Sequence, residues 1–337
     1  MLWIIYIYLP ISVILILLYL YAFRYEPVNF RLSNVDIFIK ENESQRTGEN
    51  KSNEPILTIL HLSDFHLRKN SKGKKMFKFV QGLARLNVDF IFITGDLIGS
   101  NSSIEYMIEM LSPLRAKLGK YAVFGVHDHY DKALIEFVKN MFKRKKRYRK
   151  ENDIAYMVRR LKDIGIEVLI NESRRVEINS NGIYSVEIIG LDDPIVKKID
   201  IIKAFSHIDP VNKLEPIEKS DHREVFRLRE KKIHKINSRG KLRIVIVHTP
   251  DTDSIINLAR KKTDMIFSGH THGGQVRLPL IGAVISGCKI KTKFASGLFY
   301  FKNLILYVTR GLGEGKYSQF RFHCQPEASL VRIYKIN

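Results

Sequence analysis

Apolar positions fall in three patterns along the chain: one unbroken run, then short solid runs, then runs spaced at helical period. The unbroken run comes first. From position 1 to 23 no residue is charged: MLWIIYIYLPISVILILLYLYAF. A helix needs about 20 apolar residues to cross a bilayer. Trp3, Tyr6 and Tyr8 toward one end and Tyr19 and Tyr21 toward the other suit the two membrane interfaces. Pro10 is tolerated in such a helix. A cleaved signal peptide would want a basic start and a small-residue cleavage site, and neither is present. A retained anchor over residues 1–23 is therefore expected. Arg24, Arg31 and Lys40 follow the span and no Lys or Arg precedes it. The positive-inside rule then puts residues 24–337 on the cytoplasmic side of the inner membrane.

Residues 41–54, ENESQRTGENKSNE, are polar and without apolar period. They read as an exposed linker, taken as 24–54 with its flank, before a domain at 55–337. Within that domain the short solid runs predict strands at 56–60, 89–94, 121–126, 166–170, 185–190, 242–247, 265–267, 304–309 and 329–334. Helical spacing predicts helices at 74–86, 104–118, 132–142, 154–164 and 252–261. Strands alternating with helices argue for α/β layers. Insertions are expected near 139–152 and 192–240. His207, His222 and His234 lie in the second and read as solvated.

Composition adds one strong feature. The formal net charge is +21, which calls for an anionic partner surface: nucleic acid, anionic lipid or a phosphorylated substrate. Residues 139–150, KNMFKRKKRYRK, carry eight basic side chains and no acid. Residues 68–80 mix Lys with Met76, Phe77 and Phe79. Beside an anchor, such segments suit anionic headgroups, at about 1 kcal/mol per Lys or Arg. Phe77 and Phe79 are then candidates to shield acyl chains. Cys288 and Cys324 are too few for a disulfide framework.

The candidate chemistry sits where the predicted strands end. The first runs into Ser63-Asp64-Phe65-His66, the second into Gly95-Asp96, and the third into Gly125-Val126-His127-Asp128-His129. The run 242–247 meets His248, and 265–267 meets Gly269-His270-Thr271-His272-Gly273-Gly274. In α/β sheets, ligands gather beyond the carboxyl ends of the strands. Carboxylates and imidazoles converging there suit first-row divalent metals. A lone Asp-x-His or Gly-Asp would mean little; the ordered set after successive strands is specific. His61 lies inside its strand and reads as structural, and the role of His129 stays open.

With these residues in order, the chain resembles the calcineurin-like metallophosphoesterases. Gly269 to Pro279, Arg310-Gly311-Leu312-Gly313 and Pro326-Glu327 are similar to their membrane-associated bacterial branch, which includes the chlamydial-type UDP-2,3-diacylglucosamine pyrophosphatases of lipid A synthesis. The resemblance implies a four-layer αββα sandwich and two divalent ions, with Mn first and Mg, Fe or Zn as alternatives. It implies that Asp64, His66 and His272 hold one ion, that Asp96 bridges, and that His248 and His270 hold the other. His127 would donate to phosphoryl oxygens and Asp128 would orient it.

One departure matters. The family places Asn where this chain has Val126, so the second ion keeps three protein ligands. A substrate-completed second ion is the first reading of that loss, and a non-catalytic metal-binding scaffold is the alternative. The expected partners are an amphiphilic nucleotide-linked substrate and an anionic membrane surface, with nucleic acid disfavoured because basicity alone supports it. The expected reaction is hydrolysis of the pyrophosphate of UDP-2,3-diacylglucosamine to UMP and 2,3-diacylglucosamine 1-phosphate. Action on another phosphorylated substrate is the alternative.

Overall fold

The solid apolar runs become strands that are buried on both faces. The computed structural model describes residues 2–40, 54–131, 150–180, 183–210, 213–229, 232–236, 240–302 and 304–336. Its strands are β1 (Arg31–Lys40), β2 (Leu57–Leu62), β3 (Phe90–Thr94), β4 (Gly119–Val123), β5 (Glu167–Val168), β6 (Glu172–Ser180), β7 (Ile183–Leu191) and β8 (His234–Lys235). They continue with β9 (Lys241–Val247), β10 (Met265–Ser268), β11 (Arg277–Leu278), β12 (Gly282–Ala283), β13 (Gly297–Tyr300), β14 (Ile305–Val308) and β15 (Glu327–Ile336). The helices are α1 (Leu2–Leu20), α2 (Ser71–Gly82), α3 (Ile104–Leu111), α4 (Val126–His129), α5 (Ile154–Asp163), α6 (Ile201–Phe205), α7 (Lys219–Val225) and α8 (Thr252–Arg260).

Two large sheets form among the described residues, in the orders β5-β4-β3-β2-β15-β1-β8 and β13-β14-β10-β9-β7-β6, beside a two-stranded sheet β11-β12. The run β2-β3-β4-β5 is parallel, as is β7-β9-β10-β14. Ile59, Phe90 and Phe92 of the first sheet meet Ile188, Ile244 and Ile246 of the second in the middle core. Strand side chains alternate faces, so their neighbours Leu60, Ile91 and Ile93 point to an outer core under α2, α3 and α5. Likewise Ile189, Val245 and Val247 face α6 and α8. The result is helix, sheet, sheet, helix: the four-layer αββα sandwich. Each fully buried Ile, Leu or Phe contributes about 1.5–3 kcal/mol to this arrangement.

Several expectations need correction. Part of the expected 24–54 linker is β1, which pairs in parallel with β15 from Arg31↔Glu327 to Lys40↔Ile336. Its buried Ile37 and Ile39 alternate with Asp36, Phe38 and Lys40, a period-2 pattern that a polar-linker reading passed over. Residues 41–53 lie outside the described residues. Helix α3 stops at Leu111, not 118, because Pro113 has no amide hydrogen and crowds the preceding turn. Strand β4 ends at Val123, and Val126 begins the short turn α4. The expected helix 132–142, and most of the basic 139–152 insertion, fall outside the described residues.

The 192–240 insertion carries α6, α7 and β8. Within it His207 and His222 are exposed, but His234 is buried, with Nε2 3.1 Å from Asp264 Oδ1. Phe77 and Phe79 are also differently used. Phe77 stacks on Tyr106 at 4.8 Å and Phe79 on Phe30 at 5.3 Å, so both serve the domain's own packing. His61 is buried, bonded through Nε2 to Thr94 Oγ1 at 2.8 Å, and burial pushes its pKa down to about 3.

Helix α1 is joined to the domain at its exit. The Ala22 carbonyl accepts from the Arg321 amide at 3.0 Å. Phe23 stacks on Phe320 at 5.0 Å, and Tyr21 meets Phe322 edge-on at 5.7 Å. The Arg321 side chain is fully buried, and its guanidinium donates to the carbonyls of Cys324, Arg310, Gly311 and Gly313. Only a planar fork serves that many acceptors. Arg321→Lys should therefore lose about 1–3 kcal/mol, since it strands buried carbonyls. Thermal unfolding of the full chain in detergent should show a midpoint several degrees lower, against little change for the more exposed Arg332→Lys. Equal midpoints would contradict this account of Arg321.

Candidate metal centre

The two parallel runs point their carboxyl ends at one seam. Strand β2 leads to Asp64 and His66, β3 to Asp96, β9 to His248, and β10 to His270 and His272. The loops are laced by backbone bonds: Asp64 N–H to Gly95 O at 3.0 Å, His66 N–H to Asp96 O at 2.9 Å, and Gly269 N–H to His248 O at 3.0 Å. Two glycines permit the crowding. A Cβ on Gly125 would lie 2.3 Å from Asp96 Oδ1, and one on Gly269 would lie 2.3 Å from Asp64 Oδ2. Any other residue would push a carboxylate out of place.

Three groups of donors converge: Asp64 with His66 and His272; His66 with Asp96 and His127; Asp96 with His248 and His270. Within each group the donor atoms lie within 4.8 Å of one another. Asp96 Oδ2 is 3.4 Å from His66 Nε2 and 3.1 Å from His248 Nε2. His272 Nε2 is 3.6 Å from Asp64 Oδ1 and 3.2 Å from His66 Nε2. His270 Nδ1 is 3.3 Å from His248 Nε2. Asp96 thus belongs to two groups and stands between the others.

The rings are oriented from behind. His248 Nδ1 lies 2.7 Å from Thr94 O, and His272 Nδ1 lies 3.2 Å from Gly313 O. His270 Nε2 lies 3.4 Å from Gly287 O. A carbonyl can only accept, so in the neutral form of each ring the outer nitrogen carries the hydrogen and the inner nitrogen keeps its lone pair. That tautomer is the one a metal ligand needs. Ser63 Oγ adds a 2.6 Å bond to Asp64 Oδ2. A mixed set of imidazole nitrogens and carboxylate oxygens, pre-aimed in this way, fits first-row divalent ions.

Electrostatics separate the ligands by charge. Burial raises the Asp64 carboxyl to about 6 despite the pull of His248. Burial also acts to raise Asp96, but His248, His127 and His66 together outweigh it and hold that carboxyl well below its ordinary range. Burial holds His66 and His272 well below the usual imidazole value, hence neutral. For His248, burial is overcome by Asp96, and its pKa rises well above the ordinary value. His66 and His272 are thus already in the neutral form that metal binding requires, whereas His248, which holds its extra proton beside Asp96, would release it to a bound ion.

All six expected metal residues are brought together, and His127 joins them: its ring centroid is 4.8 Å from that of His66, and its amide donates to Asp96 Oδ1 at 2.8 Å. Asp128 departs from expectation. Its buried carboxylate accepts from the amides of Asp96 (2.6 Å), Leu97 (2.7 Å) and Gly125 (2.9 Å). It therefore fixes the Asp96 loop, whereas an orienting bond to the His127 ring was expected. Burial beside Asp96 raises its pKa to about 7. His129 Nε2 is bonded to Asp192 Oδ1 at 2.6 Å, so that nitrogen is engaged away from the centre. Val126 is buried. Sequence reading missed Asp193, whose carboxylate accepts from Thr249 Oγ1 at 2.9 Å behind His248. It also missed the Thr94 and Gly313 carbonyls, which no residue type can announce.

Asp128→Asn tests the loop role. An amide cannot accept from all three N–H groups, so one meets an N–H₂, at a cost of about 1.5–3 kcal/mol for a lost charge-assisted bond. The variant should unfold at lower temperature and retain less divalent metal per chain after dialysis. Wild-type values for both would remove Asp128 from this role.

Residues 57–274 match the model of the calcineurin-like phosphoesterase family. The chain is 26% identical over 282 residues to the uncharacterised metallophosphoesterase YkoQ of Bacillus subtilis, covering 82% of this chain and 83% of that one. It is 25% identical over 318 residues to the UDP-2,3-diacylglucosamine pyrophosphatase LpxG of Chlamydia trachomatis, with the same coverage, 82% and 83%. Over a shorter reach, 76% of this chain and 48% of the relative, it is 26% identical to a bovine transmembrane protein with a metallophosphoesterase domain. Sheets, donor groups and family match agree, and the chain belongs to the calcineurin-like phosphoesterases, a family of metal-dependent hydrolases.

Proposed function

We propose that this chain is a membrane-anchored phosphoesterase that cleaves the pyrophosphate of UDP-2,3-diacylglucosamine, releasing UMP and 2,3-diacylglucosamine 1-phosphate, a step of lipid A synthesis. The observation that carries the reading is a shared carboxylate, Asp96, between two donor groups, in a domain whose N-terminal helix is long and apolar enough to cross a membrane. The likeness to LpxG supports the substrate. An acylated substrate gives the helix a purpose; a soluble one does not. The domain 55–337 would face the cytoplasm, below an anchor at 1–23.

In this reading Asp64, His66 and His272 hold one divalent ion, His248 and His270 hold a second, and Asp96 is common to both. Manganese is the first choice, with Mg, Fe or Zn as alternatives. Such ions, when bound, lower the pKa of a shared water and stabilise charge on phosphoryl oxygens. His127 is the half-buried imidazole at the edge of the group, placed to donate a hydrogen bond to a phosphoryl oxygen. Asp128 acts through Asp96 and is a positioning residue. Val126 leaves the second ion with three protein ligands, a number that suffices for a catalytic site completed by water or substrate. Valine also favours a second reading, a non-catalytic metal-binding scaffold at the membrane.

Product analysis with isotopically labelled water separates the two readings and shows which phosphorus takes the oxygen. Full-length protein in mixed micelles should release UMP from UDP-2,3-diacylglucosamine, and cleave UDP-N-acetylglucosamine far more slowly. Equal rates would remove the lipid substrate, and no hydrolysis of any phosphoester would favour the scaffold.

Asp96→Ala should cost more than tenfold in kcat, that is, more than about 1.4 kcal/mol. A smaller loss would end its shared role. Val126→Asn should lower the metal concentration needed for half-maximal rate; an unchanged requirement would mean that another group already fills the place.

A further inference from the structure

The hairpin β11–β12 is the part of the domain that the reading above does not use. It follows His272 directly, through Gly273-Gly274-Gln275-Val276. Its tip and the residues just after its return strand expose an apolar set: Leu280 is fully exposed, Ile281 is 72% exposed, Ile285 67% and Val284 49%. Leu280 has φ 64°, a left-handed conformation that suits Gly or Asn far better than leucine. In water this residue is doubly misplaced, strained at its backbone and unburied at its side chain. An apolar cluster of this kind normally marks a surface that something else covers.

The occupant follows from what the hairpin is attached to. Its base pairs with the segment that receives the membrane helix. Val276 is bridged to Phe322, and the Arg277 amide donates to Phe322 O at 2.9 Å. Gln275 Nε2 donates to Phe320 O at 2.8 Å. Phe320 and Phe322 are the rings against which Phe23 and Tyr21 of the helix exit are packed. The hairpin and the end of the apolar span therefore spring from one short segment. At about 3.3 Å per residue, the tip at Leu280 reaches no more than about 13 Å from Val276. Exposed Lys289, Lys291 and Lys293 come next in the chain, the side chains that anionic headgroups attract.

We infer that the β11–β12 hairpin inserts Leu280, Ile281, Val284 and Ile285 into the bilayer that α1 crosses, as a second, non-spanning contact beside the metal centre. The contact is transmitted to the centre by close packing. A Cβ on Gly274 would lie 2.5 Å from Ala283 Cβ, so the return strand sits directly on the loop that carries His270 and His272. Inserted, the hairpin holds that loop at headgroup depth, where the phosphate of an acylated molecule lies. The contact rests on α1 being in the membrane and not on the identity of the substrate. Burying one such Leu or Ile side chain favours the inserted state roughly tenfold or more.

The chain's single tryptophan makes the test direct. Full-length protein is reconstituted into vesicles of zwitterionic and anionic phosphatidyl lipids, with and without bromine on the acyl chains. In the wild type, Trp3 reports α1. In the Trp3→Phe background, Leu280→Trp reports the tip, and Tyr184→Trp, exposed on the distant β7, reports a site in water. Brominated lipid should quench Trp3 and Leu280→Trp and leave Tyr184→Trp unchanged. Quenching of Trp3 without quenching of Leu280→Trp overturns the inserted hairpin while leaving the anchor in place. A blue-shifted but unquenched Leu280→Trp would also overturn it, because a second protein surface would then cover the tip. Loss of quenching at Trp3 removes the premise and the inference together. As a second readout, Leu280→Asp with Ile281→Asp should lower the rate on an acylated substrate in vesicles roughly tenfold, by the burial lost, and leave hydrolysis of a small soluble phosphodiester unchanged. An equal fall on both substrates would mean that the hairpin acts on the centre without lipid.

Discussion

Everything at the seam of this protein answers to one electrostatic constraint: two carboxylates and a ring of imidazoles share a space from which water is largely excluded. Asp64, Asp96, His66 and His248 are all buried. Such a group is costly to bring together, since each ion loses hydration that the low-dielectric interior does not return. The backbone bears part of that cost. Asp64, His66, Asp96, His270 and His272 all have positive φ, a conformation that typically costs non-glycine residues about 1–3 kcal/mol each. Strain of that kind persists only where the surrounding structure over-determines it. Here the parallel runs of the two sheets do so, because each strand end is fixed in register by its neighbours.

The imidazole contacts sharpen the point. His66 Nε2 and His272 Nε2 are 3.2 Å apart, and His270 Nδ1 and His248 Nε2 are 3.3 Å apart. For His272, the other nitrogen already gives its hydrogen to a carbonyl, so the inner nitrogen presents a lone pair. Lone pairs gathered around ionised carboxylates are satisfied by a cation. This is why the donor set, more than any single residue, argues for a metal-dependent hydrolase.

The sequence made the strand ends legible because parallel strands buried on both faces leave solid apolar runs, and the polar residue after each run stands out. Asp64, Asp96, His248, His270 and His272 each follow such a run, and their side chains converge at one seam. What stayed hidden has physical reasons. Strand β1 sets Ile37 and Ile39 between Asp36, Phe38 and Lys40 beside a polar stretch, so its period is lost in the composition. Asp128 reads like a catalytic partner of His127 because they are adjacent, yet α4 turns its carboxylate back onto three amides. His129 could have faced the centre; Asp192, from a segment that read as a solvated insertion, holds it elsewhere. Phe77 and Phe79 looked free because nothing in the sequence announces Tyr106 and Phe30 as their partners.

The link between the apolar helix and the centre runs through backbone carbonyls, which a sequence cannot show. Ala22 O accepts from the Arg321 amide, and the Arg321 guanidinium donates to Gly313 O at 2.5 Å. That same carbonyl faces His272 Nδ1 at 3.2 Å, while the Gly313 amide donates to Asp64 O at 2.6 Å. Cys324 Sγ completes the loop with a 3.1 Å contact to His272 O. From the end of the apolar helix to a candidate ligand is thus two residues and three hydrogen bonds. A tether through a flexible linker would hold the centre near a membrane at no defined height. Under the proposed anchoring of α1, the path through Arg321 and Gly313 would fix that height, which suits the proposed acylated substrate.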